Sequence, residues 1–211
     1  AHRRVAAGEG AALHQPDGKG GYCTWSWLEY RQIAEEIACG LRTLGVRAGD
    51  IVGLASETRA EFYLADVGVM TNGPPAAAVY TSLPPADQVR TLVNCDPKAI
   101  FVEDAKTLRT LEAAGLSLLD APRILLTGEA PGAITLAQLR ERGIKAMIED
   151  QRFLDRIEAE VTPEHYAILY LTSGATGEPK MGLVTNNAVI ANVDMGPGVV
   201  ELDDRDSTLA F

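Results

Sequence analysis

Cysteine is scarce in this chain, basic residues are outnumbered, and long apolar runs are missing. The cysteines are Cys23, Cys39 and Cys95. Their number is odd, their spacing is wide, and no C-x-x-C pair occurs. That excludes a disulfide framework or a thiolate metal site as the organising device and fits a reduced, cytoplasmic protein. Lys and Arg number 19 against 29 Asp and Glu, for a formal net charge of -10 and a pI near 4.8. Such an acidic balance argues against general binding to nucleic acid or anionic membrane, though a local basic pocket stays open. No stretch approaches the roughly 18 apolar residues of a transmembrane helix. The opening AHRRVAAGEG lacks the apolar segment of a signal peptide. Neither repeats nor low-complexity tracts occur.

What is present is ordinary globular material, 46% apolar and 23% charged over 211 residues, enough for one large domain or two small ones. Apolar periodicity alternates along it. SWLEYRQIAEEIACGLRTLG reads as a helix, with Trp27, Tyr30, Ile33, Ala34, Ile37, Leu41 and Leu44 at helical spacing. Ser26 and Glu29 form an S-x-x-E capping box at its start, and Gly45 is a natural stop. IVGLAS suits a buried strand, and TRAEFYLADVGVMTNG is the next helix. PPAAAVY, AIFVED, RILLTG, YAILYL and MGLVT follow as strands. Helices are expected in PADQVRTLVNCD, AKTLRTLEAAG and NNAVIANVDM, and ITLAQLRERGIKAMIEDQRFLDRIEAEVT is expected to be largely helical. Strands alternating with helices imply βαβ units and a mostly parallel sheet covered on both faces. Ligands of such sheets gather at the carboxyl ends of strands.

One stretch sits at such an end. YLTSGATGEPKMG, Tyr170–Gly182, follows the strand YAILYL directly. Thr172, Ser173 and Thr176 supply hydroxyls. Gly174 and Gly177 let backbone N–H groups come close to a ligand, and successive N–H groups make an anion-binding concavity. Lys180 adds a charge that phosphate oxygens can use. Pro179 stiffens the exit and holds Glu178 extended. A lone G-x-x-G is most often a plain turn between strands. The full string T-S-G-x-T-G-x-P-K is far more specific and reads as a phosphate cradle. It is not a Walker A loop, because Glu178 and Pro179 stand between glycine and lysine and a strand, not a helix, follows.

The stretch YLTSGATGEPKMGLVTNNAVIAN resembles the signature loop of the adenylate-forming superfamily of acyl-CoA synthetases, peptide adenylation domains and luciferases. Its usual form is Tyr or Phe, then T-S-G, Ser or Thr, T-G-x-P-K-G, followed by T-H-x-N. From Gly21 to Phe211 the chain is similar to the opening part of bacterial long-chain fatty-acyl-CoA ligases. The resemblance implies a three-layer α/β/α fold with mostly parallel sheets, of the acetyl-CoA-synthetase-like kind and incomplete here. It implies that residues 1–211 are one N-terminal portion of an AMP-binding domain, ending shortly after the loop 172–182. It also implies an AMP-forming ligase. A carboxylate, here a long-chain fatty acid, attacks the α-phosphate of Mg²⁺·ATP to give an acyl adenylate, which then passes to coenzyme A. Thr172, Ser173, Gly174, Ala175, Thr176, Gly177 and Lys180 would hold ATP phosphates, with Lys180 as the catalytic cation.

Three positions depart from that pattern. Ala175 lacks the usual hydroxyl, Met181 stands where the pattern has glycine, and Asn186 takes the place of its His. The Y-G-x-T-E motif, the ribose-binding Asp and the C-terminal catalytic Lys of the family have no counterpart in these residues. The expectation is therefore a portion of a larger ligase that does not turn over alone and self-associates through apolar surface. The rival is a truncated nucleotide-binding or interaction module without catalysis. Acyl chain length, and a carrier protein in place of coenzyme A, stay open. No metal ligand is assigned. Trp25 and Trp27, beside the capping box, are expected as core anchors. His2 and His14 fall in an unstructured start. His165 belongs to a turn, Thr81 and Ser82 cap the helix after them, and LTGEAP (126–131) and ELDDRD (201–206) are turns.

Overall fold

The structure is a computed structural model that describes residues 10–172, 180–199 and 207–210. Strands β1 (Ala11–Pro16) and β2 (Tyr22–Ser26) pair as an antiparallel ribbon. Asp17 closes its turn, accepting from the Lys19 and Gly21 amides at 2.7 and 2.9 Å. This corrects the expectation of an unstructured start around His14. Its Nδ1 lies 2.8 Å from Thr24 Oγ1 across the ribbon. Neither strand alternates cleanly enough to be read from sequence. The ribbon also works at a distance, since Gln15 Oε1 accepts from the Ala60 amide at 2.6 Å. That caps helix α2 (Ala60–Asn72), whose own N-cap Arg59 makes no side-chain cap bond.

Helix α1 (Trp27–Thr43) begins with the expected capping box: Ser26 Oγ accepts from the Glu29 amide, and Glu29 accepts from the Ser26 amide. It ends at Gly45, which takes φ +86° and donates to the Arg42 carbonyl. Trp25 packs against the core at this junction.

Seven strands form the main sheet: β3 (Val52–Ala55), β4 (Ala76–Ala78), β5 (Ala99–Val102), β6 (Arg123–Leu125), β7 (Ile134–Thr135), β8 (Tyr166–Thr172) and β9 (Lys180–Thr185). Their order is β7-β6-β5-β3-β4-β8-β9, parallel throughout except for the antiparallel pair β8–β9. Helices cover both faces. On one, α1, α2 and α5 (Leu136–Glu149) bury Ile37, Leu41, Leu64, Val69 and Leu139 against Val52, Leu54, Phe101 and Ile124. On the other, α3 (Pro85–Cys95) and α4 (Ala105–Ala113) bury Leu92, Leu108 and Leu111 against Ile100, Val102 and Leu125. The three-layer α/β/α arrangement read from the sequence is thus the observed one.

Helices α1 and α5 cross with their backbones nearly touching. A Cβ on Gly143 would lie 1.9 Å from the Glu36 carbonyl oxygen, and one on Gly40 would lie 2.2 Å from that of Leu139. Beside the crossing, buried Glu36 accepts from Arg140 at 2.7 Å and Gln32 at 2.8 Å.

The stretch after Ile134 is largely helical as expected, and one further expectation, the cap of α3, is corrected. The helical stretch is divided into two helices, α5 and α6 (Phe153–Glu160). Asp150 breaks it: its backbone is extended at φ -144°, and its carboxylate accepts from the Arg152 amide and pairs with Arg156. Thr81 and Ser82 do not cap α3. Pro84 is its N-cap, without a side-chain bond, and Gln88 instead donates to the carbonyls of Thr81 and Leu83. His165 holds the expected turn, with Nδ1 accepting from the Thr162 amide. LTGEAP leaves β6 through bonds to Val102 and Glu103 and turns at Gly128, φ +73°. ELDDRD lies outside the described residues. Among the described residues no helix is long and apolar enough to cross a membrane.

Candidate functional site

Strand β8 is built by alternation. Ala167, Leu169 and Leu171 are buried, while Tyr166, Tyr170 and Thr172 are exposed. It pairs with β4 at only two positions, Ala76 with Ile168 and Ala77 with Leu169. It pairs with β9 along its whole length, ending at Thr172 opposite Lys180. The structure therefore brings Thr172 and Lys180 together as the two stems of the loop, with Thr172 Oγ1 donating to the Lys180 carbonyl at 3.3 Å. Lys180 is exposed at the carboxyl end of β8 and forms no ion pair among the described residues. Ser173, Gly174, Ala175, Thr176 and Gly177 lie outside the described residues, as do Glu178 and Pro179.

Tyr80, Cys95 and Tyr170 secure these stems, and none was expected in that role from sequence. The Tyr80 phenol donates to the Leu171 carbonyl at 2.9 Å. Met181 Sδ lies 3.9 Å from Cys95 Sγ, so the side chain that replaces a glycine is accommodated on α3. Burial pushes the Cys95 thiol above its ordinary pKa, which keeps it a neutral, polarisable contact. On the opposite side of β9 the ring of Tyr170 lies over Gly182. A Cβ there would meet Tyr170 Cζ at 2.4 Å. These partners are distant in sequence, and no periodicity signals them. Asn186 sits at the far end of β9 from Lys180. Its amide side chain donates to the Thr162 carbonyl at 3.0 Å, a structural tie between α7 (Asn186–Val199) and the approach to β8.

Other candidate places are satisfied from within. Between β3 and β5 the following helices leave to opposite faces, which in open α/β sheets makes a ligand crevice. Here Glu103 fills it, accepting from the Glu57 amide at 2.9 Å and facing Arg59 at 3.6 Å. A cleft of about 520 Å³ lies by the C-terminal ends of α1 and α5. Arg42 there pairs with Glu160 at 2.5 Å and Arg156 pairs with Asp150. Arg42 also bonds Asn72 at the end of α2, which puts the cleft at the amino edge of the sheet, away from the loop. Among the described residues no three His, Cys, Asp or Glu side chains converge as metal ligands.

The chain is similar to known proteins over most of its length. The family model of AMP-binding enzymes matches residues 3–211. Long chain acyl-CoA synthetase 8 of Arabidopsis thaliana is 25% identical over 197 residues, covering 89% of this chain and 27% of the relative. The long-chain-fatty-acid–CoA ligase FadD15 of Mycobacterium bovis is 27% identical over 172 residues, covering 80% and 28%. The anthranilate CoA ligase AuaEII, solved with anthranoyl-AMP, superposes with a TM-score of 0.72 at 20% identity, over 92% of this chain and 35% of its own. The chain thus spans about a third or less of the length of these proteins. It belongs to the family of AMP-binding, adenylate-forming enzymes.

Proposed function

We propose that the chain supplies the ATP-phosphate-binding wall of an AMP-forming ligase that activates a long-chain fatty acid and passes it to coenzyme A. The observation that carries the reading is the loop T-S-G-A-T-G-E-P-K, strung between two paired stems at the carboxyl end of β8 with Lys180 at its exit. The long-chain ligases among its relatives support the substrate class.

In the proposed reaction a carboxylate oxygen forms a bond to the α-phosphorus of ATP. The bond from that phosphorus to the bridging oxygen breaks, and pyrophosphate leaves with the electron pair. Negative charge accumulates on the leaving group. The Lys180 ammonium and the N–H groups of the loop are the groups of this chain suited to stabilise it, and fixed charges of this kind act most strongly where charge develops. Thr172 serves by holding the Lys180 backbone. Mg²⁺ enters with ATP as counter-ion to its phosphates, and no side chain of this chain is assigned to it.

The test uses inorganic pyrophosphate and AMP as separate probes. Lys180→Ala should weaken pyrophosphate binding by roughly tenfold or more, the worth of a charge-assisted hydrogen bond, and leave AMP binding nearly unchanged. Equal losses for both, or none, would overturn the assignment. Binding without fatty-acid-dependent pyrophosphate exchange in the whole protein that carries this chain would assign it a nucleotide-binding role only.

A further inference from the structure

We infer that Tyr80 is a positioning residue for the loop, pinning its entry stem to the neighbouring strand just beyond the point where the sheet lets go. The inference rests on the reading of the loop as a phosphate site. Strand β4 ends at Ala78, and its last pair with β8 is Ala77 with Leu169. Leu171 lies further on, where β8 is held by β9 alone on the hydrogen-bonding side. Its carbonyl is where the Tyr80 phenol lands, at 2.9 Å. The bond therefore extends the hold of β4 on β8 to the residue before Thr172.

Two features set this bond apart from an incidental surface contact. The backbone that carries Tyr80 is fixed on both sides. Before it, the Val79 amide donates to the Leu54 carbonyl at 3.0 Å. After it, the Leu83 amide closes a turn onto the Tyr80 carbonyl, and buried Gln88 staples that turn through Thr81 and Leu83. The ring, meanwhile, is 55% exposed. About half of the residue stays in water, and the directed bond its side chain makes is the phenol's. It joins the carboxyl ends of β4 and β8, the edge at which a ligand of this sheet would sit. A stem that drifts must be re-ordered when phosphate binds, and pre-ordering removes that cost from binding.

The test substitutes Tyr80→Phe, which keeps the ring and removes only the phenol. Tyr166→Phe, at the opposite end of β8 and 47% exposed, is the control. Amide hydrogen exchange is followed along β8 and β9 in the full chain, and inorganic pyrophosphate affinity is measured alongside. Loss of one neutral hydrogen bond corresponds to about a two- to tenfold effect. Tyr80→Phe should speed exchange by that factor at Leu171, Thr172 and Lys180, leave Tyr166–Ile168 unchanged, and weaken pyrophosphate by a similar factor. Tyr166→Phe should do neither. Unchanged exchange at the stems overturns the pin, and so does uniform acceleration along β8, which is general destabilisation. Faster stems with wild-type pyrophosphate affinity overturn the positioning role. If the unsubstituted chain fails to bind pyrophosphate, the phosphate reading and the positioning role fall together, while exchange still decides the pin.

Discussion

Replacing Gly182 with alanine tests how β9 is seated. The new methyl would start 2.4 Å from Tyr170 Cζ, 2.6 Å from Cε1 and 2.7 Å from the phenol oxygen. Ordinary contact begins near 3.4 Å, so the ring must leave. It can do so, because Tyr170 is already 46% exposed. An aromatic side chain buries about 150–250 Å². Giving up about half of that, near 100 Å², costs about 2.5 kcal/mol at about 25 cal/mol per Å². Alanine returns about 0.5–1 kcal/mol, because glycine is entropically unfavourable in a strand. The net loss should be about 1.5–2 kcal/mol.

Urea unfolding of four proteins isolates the cause: the unsubstituted chain, Gly182→Ala, Tyr170→Ala and the double variant. With the ring gone, Gly182→Ala should be neutral or stabilise by up to about 1 kcal/mol. The coupling between the two sites should then reach about 2 kcal/mol, within the range for residues in contact. If Gly182→Ala costs the same with and without the Tyr170 ring, the ring is not what the glycine accommodates, and the reasoning fails.

Gly143→Ala should be among the most damaging single substitutions, about 3 kcal/mol or more by thermal unfolding, because its methyl meets backbone at 1.9 Å and helices α1 and α5 must separate. Burial pushes the Asp66 carboxyl up to about 6. Its folded pKa lies above the unfolded value, so stability falls as pH rises from about 4 to about 6, by at most about 3 kcal/mol. Asp66→Asn should remove that fall, raising the urea midpoint at pH 7 and hardly changing it at pH 3.5. Met181→Gly should uncover Cys95, which is 4% exposed, and raise its labelling rate by thiol reagents several-fold, with exposed Cys23 as the internal reference.

How much was legible follows from the range of each interaction. Ser26 with Glu29, and Gly45 at φ +86°, are local devices, and both appear in the sequence at the positions where they act. The parallel sheet was legible because apolar strands alternate with amphipathic helices over most of the chain. The ribbon was hidden because AALHQP and YCTWS carry neither a clean alternation nor a long apolar run. The break between α5 and α6 was hidden because the apolar period continues through it, while Asp150 interrupts the backbone by bonding the Arg152 amide. Around the proposed site, the strands that end at Thr172 and begin at Lys180 were legible as apolar runs. Their supports Tyr80 and Cys95 were not, since each reaches them from about ninety residues away.

The order of Met181 and Gly182 shows what a motif comparison misses. In the pattern that the loop resembles, glycine follows lysine immediately, and a bulky residue there looks like damage. Side chains on a strand alternate with a period of two. Met181 pairs with Leu171, a buried position, and so points to the side where Cys95 waits. Gly182 pairs with Tyr170 and points to the side where the ring lies. Exchanging the two residues would drive a long side chain into the Tyr170 ring and leave Cys95 without its neighbour. The glycine this strand requires is therefore the one opposite Tyr170. The methionine after Lys180 fits the register of β9 and fastens the exit stem of the loop to α3.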